Sequence, residues 1–377
     1  MTYQICTKTI MDTSYPGITF DANGISNHYH DFINTVKPNW HPDETGRLAL
    51  ERLVEKIKQA GKGKDFDCLL GLSGGLDSSF MLHTLVTQFG LRPLVFHVDA
   101  GWNSEEAVHN IHVLVDQFGL DLYTEVINWE EMRDFQLACF KSGLPNIDIP
   151  QDHAFISTLY KFAEKYGIKY IVNGGNISTE CVQTPLKYYY WGTDMILVRD
   201  IIKTFGTIPM ETYPFSSIFR HKIYLRYFKG VKVVKPLNFI SFYKEDAVQL
   251  LVKQYGWKPF TQKHFESRFT RFLEQYWLPT RFGFDVRRGQ LSSLILTGQL
   301  SREKALREID NPLYDQDIID RDFEYIATKL GISVNELRWY HEMPKKFFSD
   351  YKNISFFLDI FAKVASTLKL GRRGGSF

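Results

Sequence analysis

Residues 73 to 78, SGGLDS, combine side chains suited to holding a phosphate. Gly74 and Gly75 carry no Cβ, so backbone built on them can come close to a bulky anion. Ser73 and Ser78, with Ser79 beside them, add hydroxyl donors. Asp77 is discordant, because a carboxylate repels a phosphate. A divalent cation between the two removes the conflict, and magnesium commonly serves. The residue types therefore point to a phosphate ester bound with Mg2+, with Asp77 as a metal ligand.

The elements around the loop fit that chemistry. The apolar run FDCLLGL before it reads as a buried strand, and DSSFMLHTLVTQFG after it as a helix. A phosphate at a helix start meets first-turn N–H groups that lack internal partners and carry partial positive charge. The loop is not a Walker P-loop, which needs a lysine before the final hydroxyl, nor a G-x-G-x-x-G dinucleotide fingerprint. The pattern S-G-G-x-D-S resembles the pyrophosphate-binding loop of the PP-loop ATP pyrophosphatases. That resemblance implies cleavage of ATP to AMP and pyrophosphate. A carbonyl oxygen is activated as an adenylate, which a nitrogen or sulfur nucleophile displaces. It also implies a role for Asp99, in HVDAG at the end of the next strand, on the nucleotide's ribose, although a strand-end cap would look the same. VNGGNISTE ends a later strand with a second glycine pair. By likeness to NAD synthetase-type members, Gly175 and Asn176 contact the nucleotide and Glu180 binds Mg2+. A helix-start glutamate favoured by the dipole is the plainer alternative for Glu180.

Strand and helix patterns alternate from residue 66 to about 240, which implies an α/β fold with a parallel sheet and helices on both faces. Before it, residues 1–65 read as a short irregular N-terminal arm and one helix. After it, residues 241–377 read as a helical C-terminal region, through YKEDAVQLLVKQYG, HFESRFTRFLEQYW, SREKALREID and DRDFEYIATKLG. The tail LGRRGGSF reads as flexible. The formal net charge of +2 over 377 residues gives no field that would pull the chain onto nucleic acid. The 15% of aromatic residues is read as core packing. No apolar stretch is long enough to span a bilayer, and no signal peptide is evident. Cys6, Cys68, Cys139 and Cys181 lie far apart, which suits a reducing cytoplasm. None sits in an elbow that would make it a glutaminase nucleophile, so ammonia must come from a partner or from solution.

The opening QICTKTIMDTSYPGITFDANGISNH and the stretch FTRFLEQYWLPTRFGFDVRRGQLSSLILTGQLSREKAL resemble the bacterial N-acetyl sugar amidotransferases of lipopolysaccharide O-antigen biosynthesis, the WbpG-like proteins. The resemblance implies a HisH-like glutaminase and a HisF-like protein as partners. The implied substrate is a UDP-linked sugar of the 2,3-diacetamido uronic acid type, whose acetamido group becomes an acetamidino group. Relatives carry two C-x-x-C pairs near the start. Here those positions are Cys6, Thr9, Ser26 and Tyr29, and one thiolate cannot build a tetrahedral site, so no zinc is expected. Charge building on the phosphates calls for cations. Lys263, Arg268, Arg271, Arg281, Arg287 and Arg288 are the candidates, with Lys263, Arg281, Arg287 and Arg288 assigned to catalysis alongside Asp77. Two other readings stay open: a tRNA-modifying enzyme of the same fold, and a subunit that only binds nucleotide.

Overall fold

The apolar run before the loop and the three that follow each turn form strands of one sheet. In the computed structural model, which describes residues 2–355, β1 (Cys68–Gly71) lies at its centre. Beside it are β2 (Pro93–Asp99) and β3 (Leu122–Val126) on one side, and β4 (Tyr170–Val172) and β5 (Lys232–Val234) on the other. All four pairings are parallel, with Leu70 opposite Val95 and Val172. Alternation of side chains divides the strands between two apolar clusters. Leu69, Phe96, Val98 and Ile171 face one, and Cys68, Leu70, Val95 and Val172 the other.

A short turn, α1 (Asn27–Asp31), belongs to the N-terminal arm, and α2 (Glu44–Gly61) follows it. With α3 (Leu76–Thr87) and α4 (Glu105–Phe118), α2 covers the Leu70 face. The opposite face is covered by α5 (Trp129–Ser142) and α6 (Ile149–Lys165), with α8 (Met195–Phe205) behind them. The single-turn α7 (Ile177–Glu180) starts after β4. The C-terminal region supplies α9 (Lys244–Tyr255), α10 (Arg268–Phe272), α11 (Arg287–Leu296), α12 (Arg302–Ile309), α13 (Gln316–Leu330) and α14 (Val334–Glu342). Two of them, α11 and α12, build a small third cluster with the arm from Leu291, Ala305 and Ile10. Leu251 joins the Leu70 cluster, while Phe269, Trp277, Phe323 and Tyr340 join the Leu69 cluster.

One expected helix starts late. HFESRFTRFLEQYW reads as a single amphipathic run, yet α10 begins only at Arg268, capped by Ser267. His264 sits at φ 67°, in the left-handed region, so no right-handed helix passes through it. After Phe272 the chain continues as a π-helical segment to Phe282. The tail LGRRGGSF lies outside the described residues. Among those residues no helix is long and apolar enough to cross a membrane.

The N-terminal arm is held by more than turns and apolar contacts. The Arg302 guanidinium donates to the Cys6 and Thr9 carbonyls, and Arg288 pairs with Asp12 at 3.0 Å. Cys6 Sγ accepts the Ser26 and Lys8 amides at 3.3 and 3.4 Å, so its sulfur is occupied by hydrogen bonds.

Candidate active site

The chain leaves β1 towards β2 and β3 on one side of the sheet, then crosses to β4 and β5 on the other. The order therefore reverses between β1 and β4, and ligands of open α/β sheets bind at the strand C-termini at such a point. Both glycine loops are there. Gly74 adopts φ 81°, and a Cβ on it would lie 2.4 Å from the Ala107 carbonyl oxygen, so α4 packs directly on the loop. Asn110 and Trp257 donate side-chain N–H groups to the Gly74 carbonyl at 3.1 and 3.2 Å. A Cβ on Gly174 would lie 3.0 Å from the Ser78 amide nitrogen, so the second loop closes on the first. Gly74→Ala is expected to meet both the forbidden φ and the Ala107 carbonyl. It should cost about 1–3 kcal/mol of stability, read as the shift in a urea unfolding curve.

Gly75 opens α3 with no side-chain cap, whereas α4, α5 and α8 are capped by Ser104, Asn128 and Asp194. Hydrogen bonds within the loop fix its shape. The Gly75 amide donates to Ser73 Oγ at 3.3 Å, the Ser73 amide to Ser78 Oγ at 3.3 Å, and Ser78 Oγ to the Gly75 carbonyl at 3.2 Å. The Ser79 hydroxyl lies on the far side, receiving the Trp257 indole N–H at 3.2 Å, so it braces the loop from behind.

Asp77, Glu180 and Lys263 are brought together. Lys263 Nζ is 2.6 Å from Asp77 Oδ2, 2.7 Å from Glu180 Oε1 and 2.8 Å from Thr179 Oγ1. Burial works against the Lys263 charge, but Asp77 and Glu180 more than offset it and hold its pKa above the ordinary lysine value. Burial would likewise raise the Glu180 carboxyl. Lys263, with the Asn176 amide at 3.3 Å, holds it below the usual range. Asn176 caps α7 by accepting the Thr179 amide at 2.9 Å, and Gly175 lies beside Lys235 Cε. Asp99 Oδ1 accepts the Gly101 amide at 2.8 Å and the Asn103 side chain at 3.2 Å, which is the strand-end cap allowed by the sequence.

Asp77 and Glu180 suit Mg2+: both are hard oxygen donors, and they already share one cation. Among the described residues no group of three His, Cys, Asp or Glu gathers to hold a metal, so substrate oxygens and water would complete the shell.

The structure engages each candidate arginine away from the glycine loops. Arg281 is buried and donates to the His341 and Pro344 carbonyls. Arg287 forks onto Asp285 and reaches the Asn311 and Ile309 carbonyls. Arg288 ties down the arm through Asp12 and the Ile10 carbonyl. Arg268 and Arg271 share Asp322, which is fully buried. The physical reason is common to all five: carboxylates and backbone carbonyls within the helical region and the arm need donors, and the planar fork satisfies several at once.

Three residues escaped the sequence reading. Glu266 accepts from Ser73 Oγ at 3.2 Å. Lys235 lies beside Gly175, and His264 Nδ1 bonds Glu274 Oε1 at 2.9 Å. The only signal for Glu266 and His264 was their nearness to Lys263 in a run that read as helix. Partial burial draws the His264 pKa down, but the Glu274 carboxylate more than offsets this and raises it to about 9. A raised histidine pKa stabilises the fold fully below the unfolded value of 6.5 and ceases to do so as pH rises through about 9. The melting temperature should therefore fall between pH 7 and 10 by more in the parent than in His264→Gln, measured by calorimetric scans.

Residues 266–365 match the family model described as "LPS biosynthesis protein WbpG-like, C-terminal domain". An uncharacterized protein of Methanocaldococcus jannaschii is 21% identical over 280 residues, 74% of this chain and 83% of the relative. Similar solved structures include NMN synthetase from Francisella tularensis, at 14% identity and TM-score 0.33, covering 81% of this chain and 99% of that one. The U34-tRNA thiolase NcsA of Methanococcus maripaludis, with its [4Fe-4S] cluster, is 14% identical with TM-score 0.34, covering 75% and 80%. The NH3-dependent NAD synthetase of Campylobacter jejuni is 15% identical with TM-score 0.28, covering 80% and 99%. Over residues 266–365 the chain is thus similar to the C-terminal domain of WbpG-like proteins, and the SGGLDS loop stands at the head of a parallel sheet.

Proposed function

We propose that the protein is an ATP-dependent, AMP-forming sugar amidotransferase. It adenylates an acetamido group of a UDP-linked sugar, of the 2,3-diacetamido uronic acid type, and converts it to an acetamidino group. Ammonia comes from a HisH-like glutaminase with a HisF-like protein, since the cysteines offer no nucleophile. Cys6, Cys68 and Cys139 are buried, and Cys181 is half-buried with its thiol pushed up to about 11 by desolvation. The observation that carries the reading is the uncapped SGGLDS loop beside paired carboxylates at the sheet's switch point.

In the first step the amide carbonyl oxygen attacks the α-phosphorus of ATP, and the bond to the bridging oxygen of the β-phosphate breaks. The first-turn N–H groups of α3 and the hydroxyls of Ser73 and Ser78 receive the departing pyrophosphate. A bound Mg2+ on Asp77 and Glu180 would neutralise charge on the phosphate oxygens. Lys263, released from that pair, would then face the phosphates as a further cation. In the second step ammonia forms a C–N bond to the imidate carbon, the C–O bond to AMP breaks, and a proton is lost to solvent. Adenylation is needed because an unactivated amide carbon is a poor electrophile.

The test is product analysis with purified protein, ATP, Mg2+, an ammonium salt and a panel of UDP-acetamido sugars. Pyrophosphate and AMP formed only with a sugar acceptor are expected. ADP in place of AMP, or turnover with tRNA and no sugar, would sink the reading.

A further inference from the structure

Residues 261–267 run across both glycine loops, outside any helix or strand. Two of their side chains, three positions apart, land where a magnesium nucleotide would bring its charges. Lys263 Nζ lies between Asp77 and Glu180, at 2.6 and 2.7 Å. The Glu266 carboxylate accepts from Ser73 Oγ and crowds Gly75: a Cβ built there would be 2.7 and 3.1 Å from its two oxygens. We propose that this segment is a strap that closes the nucleotide site in the free protein, its lysine on the cation seat and its glutamate on the pyrophosphate seat. The inference rests on the ATP reading above and adds regulation to it: Mg-ATP binds by lifting the strap.

The charges argue for a seat that is already occupied. The Glu266 carboxylate is stable there because the uncapped start of α3 and the Ser73 hydroxyl attract an anion. The same donors attract a phosphate more strongly, since it carries more charge and more acceptor oxygens. On the cation side a divalent ion competes with one ammonium for two carboxylates.

The strap is also built to move. Its ends are fixed: the Lys258 amide donates to Asn110 Oδ1 at 2.7 Å, and Ser267 caps α10 and bonds Gln151. Between them, the Ser104 amide donates to the Glu266 carbonyl at 2.9 Å, and the Ser267 amide to the His264 carbonyl at 3.4 Å. Between Lys263 and Glu266 lies His264, the one non-glycine residue with positive φ among those described. A strained residue of this kind persists only while its surroundings hold it. Here they are the Glu274 contact and the burial of Phe265. Displacing the two charged side chains frees the middle of the strap and leaves its anchors in place.

The experiment compares the full chain with Glu266→Gln by titration calorimetry, using Mg-ATP and, separately, inorganic pyrophosphate with Mg2+. A strap closed nine-tenths of the time hides about tenfold of the intrinsic affinity. Glu266→Gln is therefore expected to bind both ligands about three- to tenfold more tightly. Hydrogen exchange supplies a readout independent of turnover. The Ser104 amide and those of 261–267 should exchange faster when the parent is saturated with ligand, and already faster in free Glu266→Gln. Binding by the parent with equal or weaker binding by Glu266→Gln, or slower exchange on saturation, overturns the strap and leaves the ATP reading standing. Heat from Glu266→Gln alone supports the strap. Heat from neither protein removes the ATP reading, and the strap with it.

Discussion

Asp77→Asn is expected to lower pyrophosphate formation by about a thousandfold, the upper end of what one charged or hydrogen-bonding group in a reacting centre supplies. Asn is the same size and still accepts from Lys263, whose Nζ keeps Glu180 at 2.7 Å and Thr179 at 2.8 Å. The fold should survive, and the melting temperature should move by only a few degrees. What is lost is the formal charge that binds Mg2+ beside the phosphates, and an amide oxygen is a much poorer magnesium ligand than a carboxylate. The measurement is a pyrophosphate assay over a range of Mg2+, with a thermal melt on the same preparation. Turnover within tenfold of the parent would mean that Asp77 serves only as an ion-pair partner of Lys263.

Asp322→Ala should have the largest effect on stability, about 3–5 kcal/mol, because it leaves two guanidinium groups facing an emptied pocket. Asp322 is fully buried, with Arg268 at 2.7 Å and Arg271 at 2.7 and 2.8 Å. These contacts tie α10 to α13, and α10 begins where the strap ends. Urea unfolding gives the loss. Turnover per folded molecule, assayed at low temperature, is expected to stay within about twofold, since neither arginine reaches the glycine loops and their role is to brace. A collapse of turnover with unchanged stability would return Arg268 and Arg271 to the phosphates.

The alternation of apolar runs with 3.6-residue patterns announces the parallel sheet, and all five strands run parallel. It does not show that α9 packs with one face of that sheet, α10, α13 and α14 with the other, and α11 and α12 with the arm, because an amphipathic helix records that it has an apolar side and not what covers it. The run from His264 illustrates the limit. Its hydrophobic spacing is good enough for helix, yet tertiary contacts hold His264 at φ 67° and convert four residues into a segment that crosses the site.

Local sequence determined the parts that depend on short-range chemistry. Two glycines free of side chains, hydroxyls on either side and an acidic residue in the first helical turn mark the SGGLDS loop, and the strand before it and the helix after it are legible from their own residues. Long-range contacts decided which charges meet the loop. Lys263 is 186 positions from Asp77 in the chain, and Glu266 is 193 from Ser73. Six candidate cations looked alike as letters, but five are drawn to carboxylates and carbonyls within the helical region and the arm, and one reaches the site. A charged side chain goes to whichever opposite charge folding leaves least solvated, and only the assembled molecule determines where that is.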